Sequence, residues 1–518
     1  LLNLGLRFLE NKIGGKMREY YLGSNFKLDD IETLISGNVK FKLNQKSISK
    51  LKKSREAIDK LLKSGRIIYG INTGFGQLAS EVISKENLNL LQLNLIRSHA
   101  CGVGAALSDN EATAILFVRA NELARGHSGV RVELLNTMIE LLNKRIVPYI
   151  PQKGSVGASG DLAPSAHMAL VLIGEGKAKF YGDREFQPSS KILKKAGIKP
   201  VQLKEKEGLA LINGTQAMQA IGGLSLLNSI KVFDTAIYSA ALCLDALKGT
   251  TVAFDERIHL LKPHIGQLYV AERFRQLLDG SEIRESHKKN DKRVQDPYSL
   301  RCMPQVMGAI RDNLEYCQSV IETEFSSVTD NPLIFVNKGE LEALSGGNFH
   351  GQALSFIFDF ASINMTALGN MSERRIAQLV SDFKILPPFL AKNPGLESGF
   401  MIPHVTAAAL CNQNKILSHP ASADSIPTSA NKEDFVSMGA NAAIKLREIT
   451  ENVARIIAIE IISSACAIEY HRPLKSSRKL ERFIDRIYEY SPKIEGDIEF
   501  SSRIEKIAVE ILNGTFCK

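Results

Sequence analysis

Tryptophan is absent from this chain of 518 residues, and aromatic residues make up only 7% of it. Where basic residues cluster, in Lys46–Arg66 and Arg284–Arg293, they alternate with acids or lie on solvated helix faces and loops. No aromatics interleave with them, which removes the stacking platform that single-stranded nucleic acid needs. The net charge of +9 is therefore scattered rather than focused on one face, and no nucleic-acid partner is expected. The seven cysteines are odd in number and show neither a C-x-x-C pair nor Cys/His metal spacing. That excludes a disulfide scaffold and a zinc module, and points to free thiols in a reducing, cytoplasmic setting. Long apolar runs are scarce too. Within the longest uncharged run, the stretch Leu209–Ile230 carries Asn213, Gln216, Gln219 and Asn228, so it reads as a buried core helix rather than a membrane span. Internal repeats and low-complexity linkers are also lacking.

What is present is an ordinary globular balance, 44% hydrophobic and 23% charged, in a chain long enough for more than one core. Residues 1–16 read as an N-terminal extension before Met17, expected to lack order. Their apolar stretch is broken by charges and makes a poor signal peptide. Residues 17–212 mix short elements: Gly65–Gly76 reads as a β-branched strand running into a glycine-rich loop, and Ser108–Gly126 as a capped helix. From 213 to 518 the pattern becomes long, apolar at helical spacing and poor in proline, most clearly in the stretches beginning at Thr215, Leu300, Asn348 and Asn431. The expected fold is mainly α: an elongated bundle of long helices, 213–518, after a smaller mixed N-terminal domain, 17–212, that carries the loop Gly154–Pro164.

The stretch GSVGASGDLAP, Gly154–Pro164, places three glycines and two serines immediately before a helix start. One reading is a flexible loop with Asp161 as N-cap and Pro164 in the first turn. The other is chemical. In a tight bend the Gly160 nitrogen can attack the Ala158 carbonyl carbon and close a five-membered ring. Loss of one water from the ring and a second carrying the Ser159 hydroxyl then leaves a methylidene-imidazolone (MIO), an electrophile that no ordinary side chain supplies. Glycine is needed at 160 because a β-carbon would obstruct the closure.

The segment GSVGASGDLAPSAHMAL resembles the cofactor-forming segment of the aromatic amino-acid ammonia-lyase family. YGINTGFG, LALINGTQ, QDPYSLRC, SGGNFHG and SIPTSANKED resemble further family blocks, in the same order. The resemblance implies an autocatalytic MIO from Ala158, Ser159 and Gly160, with no metal and no added cofactor. It also implies a homotetramer with shared active sites. Within the family, Ser98-His99 and Glu433 resemble the histidine-specific branch: an imidazole calls for hydrogen-bonding partners that a phenyl ring does not. The expected reaction is deamination of L-histidine to trans-urocanate and ammonia, the opening step of histidine degradation. Phenylalanine or tyrosine ammonia-lyase, or an MIO-dependent aminomutase, is the alternative, and a non-catalytic helical oligomer is a rival of another class.

Further roles come from the same resemblance. Tyr69 is the base for the β-proton. A free phenol titrates at about 10, so that role needs donors or positive charge nearby; read alone, Tyr69 would be a packed strand-end ring. Arg301 holds the substrate carboxylate, although by itself it could form a surface ion pair. Tyr298 and Gln295 line the pocket, Asn213 bonds the ring or the carboxylate, and Phe349 packs over the reacting carbons. On sequence alone the last two would be a cap and a core residue. His99 and Glu433 hold the imidazole, against the simpler readings of a core histidine and a first-turn acid. Lys432, Phe435, Pro403-His404 and Gln352 depart from the pattern expected of histidine enzymes.

Overall fold

The computed structural model describes residues 17–517 except Ala79, Asn290, Lys292, Lys338 and Gly339; the 1–16 extension lies outside the described residues. The chain forms two compact units that interleave along the sequence. One comprises residues up to Gly154, Leu162–Gln216 and Phe325–Phe349; the other comprises Ser155–Asp161, Ala217–Glu324 and His350 onward.

The strands of the described residues all lie in the first unit. Arg18–Tyr21 pairs in parallel with Val39–Lys42, and Val103–Ala106 pairs antiparallel with Pro151–Lys153. Ile146–Pro148, Lys177–Phe180 and Gln187–Pro188 form a three-stranded sheet in that order, and Leu333–Asn337 pairs with Glu340–Leu344. The central element is the helix Asp109–Leu123. Ser108 and Glu111 close a capping box at its start, and it is buried on nearly every face. Phe117 on this helix gathers Tyr20, Phe26 and Phe41, with ring centroids 5.1–5.7 Å away.

The strand expected in Gly65–Gly76 is not formed. Asn72 turns the chain back on itself: its Oδ1 accepts from the Ile68 N–H at 2.7 Å and its Nδ2 donates to the Arg66 carbonyl at 2.8 Å. The backbone groups that a strand would offer to a neighbour are satisfied inside the loop.

The second unit is helical. Its long elements are Gln216–Ala246, which begins at the unit boundary, Met303–Phe325, Gln352–Ser381 and Gly439–Glu469. Ser229 and Thr450 share a hydrogen bond at 2.8 Å, and Asn313 donates to Asn364 at 2.8 Å. A buried ion pair, Arg375 to Glu460 at 2.5 Å, ties Gln352–Ser381 to Gly439–Glu469, and the Ser372 hydroxyl donates to the same carboxylate at 2.6 Å. The helix expected from Asn431 starts only at Gly439, because Ser429, Ala430, Asn431 and Met438 all have positive φ. The run Leu209–Ile230 is likewise broken, into the helices Glu207–Ile212 and Gln216–Ala246. Among the described residues no helix is long and apolar enough to cross a membrane.

Candidate active site

In the second unit, three segments close around Ala158-Ser159-Gly160. The first is the loop itself, where Gly157, Ser159 and Gly160 have φ of 75°, 52° and 79°. This is a tight, left-handed course that a serine adopts only under constraint. Asp161 supplies part of that constraint: its Oδ1 accepts from the Ser155 hydroxyl at 3.2 Å and its Oδ2 from the Met218 N–H at 2.7 Å. The loop is thereby tied to the second segment, the first turn of Gln216–Ala246.

The third segment is 428–439. The Met438 N–H donates to the Val156 carbonyl at 2.9 Å, and a β-carbon on Gly157 would lie 2.1 Å from Ser437 Oγ. The Ser159 hydroxyl donates to Glu433 Oε1 at 3.2 Å, while the Thr428 hydroxyl donates to Glu433 Oε2 at 2.7 Å. Thr428 and Glu433 also exchange backbone hydrogen bonds across the left-handed residues 429–431, which fixes the carboxylate's direction. The tripeptide thus fits ring formation on three counts: a bend already imposed, a glycine at 160, and a serine hydroxyl held at the bend.

Elsewhere in the second unit, Arg301 and Tyr298 are neighbours. The guanidinium carbon sits 4.5 Å from the Tyr298 ring centroid, and Arg301 Nε is buried without a partner. Tyr298 is 70% exposed, and Gln295 is exposed in the preceding loop. Among the departures from the histidine pattern, Phe435 stacks on His350 at 6.0 Å and His404 bonds Glu373 at 2.7 Å. Gln352 reaches the Ser422 carbonyl at 3.5 Å, and Lys432 is exposed.

The first unit carries the remaining candidates. The Gly76 N–H donates to Tyr69 Oη at 3.3 Å, and Tyr69 is partly exposed in a turn. His99 ends the helix Leu88–His99, with its Nδ1 3.1 Å from the Ser98 hydroxyl. Asn213 follows the helix Glu207–Ile212 and is buried. Its carbonyl accepts from Arg119 at 2.7 Å, and its side-chain Oδ1 has no partner. Phe349 is half-buried at the end of the stretch 345–349. His167, read as structural, accepts from the Gly102 N–H at 3.1 Å, and burial lowers its imidazole below the usual range.

Sequence reasoning missed Thr428, Ser437 and the Asp161–Met218 tie, together with Arg119 and Glu122 beside Asn213. The last two had a signal: an Arg and a Glu three residues apart on a helix that is apolar all round must find partners in the core. Among the described residues no group of three or more His, Cys, Asp or Glu is placed to hold a metal ion.

The family model for aromatic amino acid lyase matches residues 26–489. A histidine ammonia-lyase of Koribacter versatilis is 47% identical over 487 residues, covering 92% of this chain and 94% of that protein. The crystal structure of histidine ammonia-lyase from Trypanosoma cruzi superposes with a TM-score of 0.89 at 38% identity, covering 96% of this chain and 94% of that one. Tyrosine aminomutase from Streptomyces globisporus superposes equally well, TM-score 0.89, at 34% identity, covering 95% and 96%.

Proposed function

The chain belongs to the aromatic amino acid lyase family, and from that premise we propose that Ala158, Ser159 and Gly160 form the MIO electrophile on which it deaminates L-histidine to trans-urocanate and ammonia. It is a carbon–nitrogen lyase. The electrophile supplies an electron sink for the amine, which makes it a leaving group. The chain's own residues do the rest. Arg301, with its unpartnered Nε, binds the carboxylate as a charged fork. Tyr69, with the Gly76 N–H already directed at its oxygen, takes the β-proton. His99 and Glu433 hold the imidazole, Asn213, Gln295 and Tyr298 bond substrate or ring, and Phe349 packs over the reacting carbons.

The observation that carries the reading is the 3.2 Å bond between Ser159 and Glu433. The residue that matches the histidine branch touches the hydroxyl that ring formation removes. Once that hydroxyl leaves as water, Glu433 Oε1 loses its partner and can accept from an imidazole N–H. The test is incubation with histidine, phenylalanine and tyrosine, following urocanate, cinnamate and coumarate by absorbance. Only histidine is expected to turn over at speed. Glu433→Gln should lower kcat/KM for histidine by about 10–100-fold, more than for any phenyl substrate. Equal losses would remove Glu433 from substrate choice, and dominant cinnamate or coumarate would replace the histidine assignment.

A homotetramer with shared sites belongs to the same reading. Phe356, Phe360 and Ile363 lie at i, i+4 and i+7 on Gln352–Ser381, and each is more than a third exposed, which supports burial against another copy. The seven free thiols support a reducing compartment such as the cytoplasm.

A further inference from the structure

Within the first unit, a buried polar network surrounds the turn Asn213-Gly214-Thr215. Arg119 is fully buried and makes two directed contacts: Nη2 donates to the Asn213 carbonyl at 2.7 Å, and Nη1 donates to Glu122 Oε2 at 3.2 Å. Glu122 in turn accepts from the Thr329 N–H at 2.7 Å and from the Gln216 side-chain amide. Thr329 Oγ1 accepts from Gln216 Nε2 at 2.9 Å and from the Thr215 N–H at 3.3 Å. The next residue, Asp330, pairs with Lys206 at 2.7 Å, and both side chains are fully buried.

The turn is therefore held at both ends, by its 213 carbonyl and its 215 N–H. Its middle is closed as well: Gly214 has φ +138°, and a β-carbon there would lie 2.6 Å from Thr329 Oγ1 and 2.9 Å from Arg119 Nη2. Against this, the Asn213 side-chain oxygen is buried and has no partner. A buried acceptor left without a donor costs stability, so the network fixes a backbone that keeps an unfavourable group in place. Such an arrangement suits an acceptor kept for a donor that arrives with substrate.

We propose that Arg119 is a positioning residue for the lyase reaction: by gripping the Asn213 peptide while anchored on Glu122, it holds Asn213 Oδ1 in place as the acceptor for a substrate N–H, in place of the ring or carboxylate bond expected from the sequence, neither of which offers a donor to an amide oxygen. The inference rests on the reading of Asn213 as a site residue. Arginine is required because its planar fork reaches the carbonyl and the carboxylate together, which a single ammonium does less well.

The test is a double-mutant cycle on the full-length enzyme with Arg119→Gln and Asn213→Ala, reading kcat and KM for histidine and the thermal midpoint of each variant. Arg119→Gln should lower kcat/KM by about 10–100-fold, chiefly in kcat. Combined with Asn213→Ala it should cost nothing beyond Asn213→Ala alone, since it acts through that residue. Arg119→Lys should recover only part of the loss. A penalty that multiplies in full onto Asn213→Ala, or a folded Arg119→Gln with the parent kcat, would overturn the proposal; a neutral Asn213→Ala would do so too. If Arg119→Gln does not fold, Arg119→Lys takes its place in the cycle with the same outcomes. An enzyme that makes cinnamate instead of urocanate would overturn the substrate assignment, and the cycle would then be read on phenylalanine, so the two failures stay separate.

Discussion

At Ser159 the chain carries a β-carbon through a left-handed bend, and its hydroxyl meets a carboxylate 274 positions further along the sequence. The bend itself was legible, because ring closure demands small residues in a fixed order and glycine at 160. The partner was not, because no local rule relates residues so far apart. Glu122 is a second residue whose state depends on the fold. Burial, assisted by Asp330, pushes its carboxyl up to about 7 from an ordinary 4.5, against the pull of Arg119. Between those values the folded protein binds more protons at this site than the unfolded chain does. Its contribution to stability is therefore fully present below pH 4.5 and is lost as the pH rises through 7. Comparison of thermal midpoints with Glu122→Gln, which cannot titrate, should show the parent losing ground to the variant from pH 5 to pH 8. A parent that does not lose ground to the variant over this range would contradict the raised titration of Glu122.

The long helices were readable as elements, since apolar residues at helical spacing over thirty positions admit little else. Their starts were not. Gly439–Glu469 begins eight residues later than its pattern suggests, because Ser429, Ala430, Asn431 and Met438 hold positive φ and the Met438 N–H is engaged by the Val156 carbonyl. The supposed strand at Gly65–Gly76 fails for a similar reason: Asn72 captures local backbone groups before any neighbour can. Helix contacts also rest on glycines whose role no pattern discloses. Gly266 on Ile265–Leu278 faces Gly308 on Met303–Phe325 so closely that a β-carbon on Gly266 would lie 2.1 Å from the Gly308 carbonyl oxygen. Gly266→Ala should force these helices apart and lower stability by about 1–3 kcal/mol, seen as a fall in thermal midpoint. An unchanged midpoint would show that the contact can relax without cost.

For the whole molecule, the mainly α architecture and the order of the site blocks were accessible from the sequence. The interleaving of the two units was not, because Ser155–Asp161 and Phe325–Phe349 each leave their chain neighbours to join the other unit. The proposed homotetramer predicts a light-scattering mass of four chains for the purified protein, and the exposed stripe Phe356, Phe360 and Ile363 as part of its interface predicts that this mass falls when Phe356 and Phe360 are both changed to Asp. A monomeric parent would contradict the shared-site reading.

The most direct measurement is the mass of the proteolytic fragment carrying Gly154–Pro164, from the purified protein and from Ser159→Ala. The ring requires the parent fragment to be lighter than its sequence by two water molecules, with the Ser159→Ala fragment lacking the full deficit and the variant inactive toward histidine. A parent fragment at its unmodified mass in an active preparation would contradict the account at its centre.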